Sequence, residues 1–186
     1  PHFSKDGDYL YFTSNRTFDP IYSRTEWNHA YRDMTKVYLV PLEAGTPSPF
    51  KPENARVSMD GEDKQAKKEE DGDDEEAMAV KIDFEGIANR MEALPVEASN
   101  YYGLSAVKDR LFFVERSFSD NKSQLKSYHF GKEKLMKHGP ISSYQLSAND
   151  KKLLFRRGSK YFIQQVPKKG KLKTKQRVKM NDMEVR

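Results

Sequence analysis

Three stretches of the chain repeat one pattern, and a recurring pattern constrains a fold more than any single residue does. Phe3-Ser4-Lys5-Asp6-Gly7-Asp8-Tyr9-Leu10-Tyr11-Phe12 aligns without gaps with Leu104-Ser105-Ala106-Val107-Lys108-Asp109-Arg110-Leu111-Phe112-Phe113 and with Leu146-Ser147-Ala148-Asn149-Asp150-Lys151-Lys152-Leu153-Leu154-Phe155. In each copy an apolar residue and a serine precede a polar turn, and a hydrophobic strand ending in phenylalanine follows. Asp6-Gly7 and Asn149-Asp150 suit a tight turn, because Gly and Asn tolerate positive φ and Asp and Asn side chains bond their own backbone. The serines are expected to be turn residues. Copies two and three begin 42 residues apart, the spacing of four-stranded propeller blades. Copies one and two are 101 residues apart, which fits one blade swollen by insertions or two blades with one degenerate.

A second strand-like run follows each motif: Lys36–Val40, Gln124–Tyr128 and Lys160–Gln164, all rich in β-branched and aromatic residues. Val80-Lys81-Ile82-Asp83 recurs as Val178-Lys179-Met180-Asn181. No segment keeps apolar residues at i, i+3, i+4 and i+7, so long helices are not expected. The reading is an all-β chain, a partial β-propeller of about three to four antiparallel four-stranded blades. An antiparallel sandwich is the alternative, but it gives no reason for the motif to recur at blade spacing. Residues 1–58 read as a first blade with a long loop at 17–35, residues 59–79 as an acidic insert, and 80–186 as further blades ending at a domain boundary.

Composition narrows the chemistry. Charged residues are 33% and mean hydropathy is −0.91, yet 11 Phe, 10 Tyr and 1 Trp are too many aromatics for full disorder. No apolar run approaches the 18 or so residues of a membrane helix, so no membrane insertion is expected. The text opens on Pro1 inside a strand motif, so a targeting segment would lie upstream, and the compartment, cytoplasmic or periplasmic, stays open. The absence of cysteine excludes a thiolate nucleophile and a zinc ribbon. Charge is segregated. Residues 60–76 hold ten acids against three lysines, and residues 151–186 hold thirteen Lys and Arg against Asp182 and Glu184. The acidic run is expected to be a solvated excursion whose spacing does not match an EF-hand. In the basic tail, Lys168 to Lys175 suits phosphate binding, but alternation continuing through Gln176-Arg177-Val178-Lys179 favours a strand with a solvated lysine face.

Four stretches carry a family resemblance: Phe3 to Tyr22, Lys81 to Val96, Asn100 to Leu104, and Met183 to Arg186. They resemble the second, larger propeller of tricorn-type serine proteases, multidomain peptidases of the carboxy-terminal-processing class. One departure is Phe84-Glu85 before Gly86-Ile87, where the family more often has Leu-Asp. The resemblance implies two propellers, a PDZ-like domain and two carboxy-terminal domains that supply the catalytic serine and would begin after Arg186. No family catalytic residue therefore maps onto this chain. The propellers of the family are thought to admit peptides to the active site, so the implied partners are the other domains of the parent, peptide substrates and further copies of the protein.

The residues themselves agree with a non-catalytic segment. His2, His29, His129 and His138 do not fall in a metal-binding frame, no G-x-S-x-G elbow is present, and the glycines are scattered, so no metal or cofactor is expected. Loop 17–35 is far longer than a hairpin needs. With Arg16 before it, it carries Asp19, Tyr22, Trp27, His29, Tyr31 and Arg32, which are peptide- or domain-contact candidates, although Trp27 and the tyrosines would equally pack the loop onto its blade. Two functions follow: a propeller segment of a tricorn-like peptidase that shapes peptide access and domain assembly, or a stand-alone interaction propeller whose basic face binds nucleic acid or an acidic protein. Nucleic acid is the less favoured partner.

Overall fold

Alternation along the strand Arg110–Arg116 organises the structure. Leu111 and Phe113 point to one side, Phe112 and Val114 to the other, and all four are buried. In a sheet with one wet face, every second residue would meet water. Both faces of this strand are therefore covered by protein. The computed structural model describes residues 1–17, 20–22, 29–50, 80–119 and 121–179; the acidic run 60–76 and Met183 to Arg186 lie outside them.

Thirteen strands are present among the described residues, and most belong to three antiparallel sheets. The first sheet is β1 (His2–Phe3), β2 (Tyr9–Ser14), β5 (Lys36–Pro41) and β6 (Glu92–Ala93), in that spatial order. The second is a meander of β7 (Tyr101–Val107), β8 (Arg110–Arg116), β9 (Ser123–His129) and β10 (Lys134–Pro140). The third is β11 (Ser143–Leu146), β12 (Lys152–Arg157) and β13 (Lys160–Gln165), extended by a single bridge from Phe162 to Arg177. A separate hairpin, β3 (Pro20–Tyr22) with β4 (His29–Tyr31), lies between β2 and β5 in the chain. Each repeat copy thus supplies the first two strands of one blade, and the run after it supplies the third. The 101-residue interval belongs to one blade, because β6 returns to pair with β5 after the long excursion.

Copies one and three make the same turn. The Ser4 hydroxyl donates to Asp6 and accepts from the Tyr9 amide at 2.9 Å; the Ser147 hydroxyl donates to Asn149 at 2.7 Å and accepts from the Lys152 amide at 2.9 Å. Copy two departs from the expectation. Its strands close on the two-residue turn Lys108-Asp109, with Lys108 at φ 50°, so Ala106 rather than Leu104 faces Leu111. Ser105 therefore sits in the β7 ladder opposite Phe112 and is not a turn residue. A bulge between Tyr102 and Ser105, with Gly103 at φ 61°, absorbs the shift in register, and the Gly103 carbonyl accepts the Tyr144 hydroxyl of the third sheet.

Two cores flank the middle sheet. Tyr11, Val37 and Leu39 of the first sheet meet Leu111, Phe113 and Tyr128 of the second. Phe112, Val114 and Leu125 on its other face meet Leu153, Phe155 and Phe162 of the third. Each fully buried large side chain contributes roughly 1.5–3 kcal/mol relative to exposure. The outer flanks are less complete. Leu10, Phe12 and Tyr38 on the first sheet, and Leu154, Tyr161 and Ile163 on the third, are only half-buried.

After the excursion the chain is docked by polar contacts. The Arg90 guanidinium donates to the carbonyls of Pro41, Asp83, Leu42 and Glu85, and the Asp83 carboxylate accepts the Ala44 amide at 2.8 Å. Phe84, at the position that departs from the family pattern, is 76% exposed and bears on none of this. The tail differs in part from the expected strand: residues 168–175 form a loop, and the chain meets the third sheet only at 176–178, where the Gln176 carbonyl accepts the Ile163 amide at 3.0 Å and the Val178 amide donates to the Tyr161 carbonyl at 2.9 Å.

His138 is the residue bulged out of β10 between Lys137 and Gly139, and the bulge turns its ring into the second core. It is wholly buried, stacked on Phe112 with ring centroids 5.6 Å apart. Its Nδ1 donates to the Gly170 carbonyl at 2.8 Å, so its Nε2 accepts the Ser127 hydroxyl at 2.8 Å. Burial lowers its pKa from the ordinary value; the Gly170 carbonyl opposes the shift and Arg110 adds to it.

Two outcomes follow. Phe112→Ala and Phe113→Ala, although adjacent, should each cost about 3–5 kcal/mol in urea unfolding, because each opens a different core; a near-neutral result for either would leave the middle sheet with one wet face. The unfolded chain binds protons to His138 more readily than the folded one does, so stability is full above pH ~6.5 and falls as pH drops below it. His2 and His129 are shifted in the same direction, chiefly by burial. Melting temperatures measured from pH 7.5 to 5.5 should therefore decline, and less steeply in His138→Gln; a flat wild-type profile contradicts the neutral buried ring.

Candidate functional site

Long loops on a rigid sheet are where contact residues collect, and loop 17–35 is tied down at its base. The Thr17 amide donates to the Met34 carbonyl at 3.3 Å, Thr35 bridges to Ser99, and the Thr35 hydroxyl donates to Asn15. Asp33, at φ 48°, ends the loop in the left-handed region. Its carboxylate accepts the Asn100 side-chain amide at 2.8 Å and the Phe118 backbone amide at 3.1 Å, which fastens the first blade to the second. The adjacent Arg32 guanidinium lies 4.1 Å from the centroid of Phe118, a ring left 57% exposed.

Between these elements lies an open cleft of about 590 Å³, lined chiefly by Thr17, Arg32, Asp33, Lys36, Glu97 and Phe118. Charges of both signs stand around one aromatic face. A polar cluster adjoins Glu97: the Tyr101 hydroxyl donates to the Glu97 carbonyl at 2.7 Å and lies 3.3 Å from the Glu115 carboxylate, which is ion-paired with Lys126. Burial and the Glu115 carboxylate raise the Tyr101 pKa well above the ordinary tyrosine range, so the phenol stays protonated and keeps donating. The ion pair is mostly buried, so losing either partner would strand a charge in a poorly solvated place.

Of the candidates from the sequence, Arg32 alone lines this cleft among the described residues, and the others divide three ways. Arg16 is committed to its own blade, 5.8 Å over the Tyr38 ring and 3.2 Å from the Met91 sulfur. Tyr22 faces His29 in the ladder of the β3–β4 hairpin, and Tyr31 faces Pro20 two positions along. Asp19 and Trp27 lie outside the described residues. Asp33, Lys36, Glu97 and Phe118 were not among the sequence candidates. They come from two blades about 85 residues apart in sequence, as the Asp33 to Phe118 bond shows, and nothing local marks them as neighbours.

Comparison with known proteins gives the same architecture a family. The tricorn protease homolog 1 of Streptomyces coelicolor is 30% identical over 169 residues, covering 83% of this chain and 15% of that protein. The tricorn protease of Thermoplasma volcanium is 29% identical over 109 residues, 59% of this chain and 9% of that one. A crystal structure of the tricorn protease matches 88% of this chain and 15% of its own with a TM-score of 0.65 at 19% identity, which shows the shared fold. The chain thus spans about a seventh or less of the length of these relatives. The family model for the tricorn protease second beta propeller domain matches residues 1–167, and the chain therefore belongs to that family, as a partial propeller of antiparallel blades.

Proposed function

We propose that the chain is a non-catalytic section of propeller wall in a larger serine peptidase, where it shapes the passage of peptides toward the active site and helps hold neighbouring domains in place. The observation that carries this reading is the uneven cover of the three blades. The middle blade is buried on both faces, whereas Leu10, Phe12 and Tyr38 at one end and Leu154, Tyr161 and Ile163 at the other remain half-exposed. Blades stack as repeats do, and an end that lacks its neighbour loses that contribution. The mixed-charge cleft at the rim between the first two blades supplies a surface that peptides or domains would contact. Arg32, Lys36, Glu97 and Phe118 offer both signs of charge and a ring there, and the loop that supplies Arg32 also contains the β3–β4 hairpin with Tyr22, His29 and Tyr31.

The chemistry of the described residues supports a wall rather than an active site. Ser127 and His138 are hydrogen-bonded as a nucleophile and its base would be, but both are wholly buried. The third partner is a backbone carbonyl, which orients the ring without stabilising an imidazolium as a carboxylate does.

Fluorogenic peptides with basic, acidic and hydrophobic residues before the cleaved bond should show no turnover with the purified chain. Hydrolysis that survives repurification and disappears in Ser127→Ala would overturn the reading. In sedimentation and thermal melts, the chain should self-associate or melt well below a longer piece carrying the whole propeller. A monomer that melts as high as the longer piece would show that its flanks need no neighbour.

A further inference from the structure

Lys168-Lys169-Gly170-Lys171-Leu172-Lys173-Thr174-Lys175 concentrates like charges in eight residues, a sequence that would repel itself into open coil if left alone. The fold holds it in one course instead. Leu172 is buried in the second core, and its amide donates to the His138 carbonyl at 2.8 Å. The Gly170 carbonyl accepts from the His138 ring, and Gly170 itself turns the chain at φ 80°. The Arg110 guanidinium donates to the Lys168 carbonyl, and the Lys173 amide donates to the Gln164 side chain at 2.8 Å. Four contacts from three separate strands therefore fix the backbone between the lysines.

Held this way, Lys168, Lys169, Lys171, Lys173 and Lys175 line one open cleft of about 500 Å³. All five are exposed, and no acidic residue lines the cleft. No carboxylate among the described residues pairs with any of them. Positive charges fixed around a concavity reinforce one another's field and attract a polyanion. The remaining lining decides which one. No aromatic ring lines the cleft, so bases would find no stacking platform. No arginine lines it either, so phosphates would lack the planar two-pronged donor that suits them. Gln164, Gln165 and Gln176 supply amides, each both donor and acceptor, of the kind that pairs with peptide groups.

We propose that this lysine cleft, on the third blade and separate from the rim cleft of the first two, is a binding site for an acidic polypeptide segment of a partner protein. Clustered Asp and Glu side chains meet the five ammonium groups, and the backbone of the segment meets the glutamines.

The test is a fluorescence-anisotropy titration of the full chain with a labelled ten-residue peptide of alternating glutamate and glycine, at 50 and 200 mM salt. Saturable binding that weakens with salt is expected. Lys169→Gln/Lys171→Gln/Lys173→Gln should reduce affinity by ~10-fold or more, as truncation of a complementary charged surface does. Lys132→Gln/Lys134→Gln/Lys137→Gln, which removes the same charge from exposed positions elsewhere, should not. Equal losses in the two variants would reduce the effect to net charge and overturn the site. Absence of saturation at 50 mM salt would overturn it as well. Tighter binding of inorganic polyphosphate or a single-stranded oligonucleotide of equal charge would overturn the ligand class.

Discussion

The middle blade has no free face, and the rest of the structure depends on that. A sheet covered on both sides cannot follow the usual alternation of apolar and polar residues, and β8 does not: Leu111, Phe112, Phe113 and Val114 are successive and all buried. Each neighbour needs only one apolar face, and β12 alternates accordingly, while β5 alternates from Lys36 to Leu39 before ending in the buried Val40 and Pro41. Tyr11, Val37 and Leu39 turn inward on the first, and Leu153, Phe155 and Phe162 on the third. Stacking, rather than the strand pairing inside any one sheet, is what the three blades share.

Apolar burial has no direction, so it does not by itself set how one blade sits against the next. Hydrogen bonds to backbone groups do this. The Tyr144 hydroxyl reaches the Gly103 carbonyl, the His138 ring reaches Gly170, Arg110 reaches Lys168, and Asp33 reaches the Phe118 amide. Each crosses from one blade, or from the loop beside it, to another. Because the acceptor or donor is main chain, each bond fixes a position in the fold and depends on the partner's side chain hardly at all. Removing one member leaves a backbone group unpaired, which costs about 1–3 kcal/mol where it is buried.

What was legible in the sequence was what is local. The strand halves of the three motifs, their order and the runs that follow them could be seen because a blade is a meander in which neighbours in sequence pair in space. The serine turns of copies one and three were legible for the same reason, since Ser4 with Asp6 and Ser147 with Asn149 act across two residues. Copy two shows the limit. Its residue types fit the pattern, yet a two-residue turn competes with the longer one, and the Gly103 bulge lets the ladder accept the shift. Ser105 was misassigned because the difference lies in register, which residue types alone do not fix. The rim cleft was half legible: loop 17–35 was conspicuous by length, but Glu97 and Phe118 reach it only through blade packing. His138 passed as unremarkable, since its role comes from a bulge and from Gly170 about thirty residues away.

The unequal turns also bear on how the first and third blades meet. Lys5, in the turn of copy one, reaches past the middle blade to Asp150 in the turn of copy three, 2.7 Å away, and donates to the Ala148 carbonyl at 3.2 Å. Copy two lies between them in sequence, and its turn is the short one. A turn of the same length as its neighbours would place further residues at the corresponding end of the middle blade. The ion pair itself contributes little, about 0–1 kcal/mol, because the Lys5 side chain is 58% exposed. Its significance is geometric: three copies of one motif, alike in their hydrophobic second strands, differ in the turn before that strand, and that difference accompanies a direct contact between blades that are not neighbours in the stack.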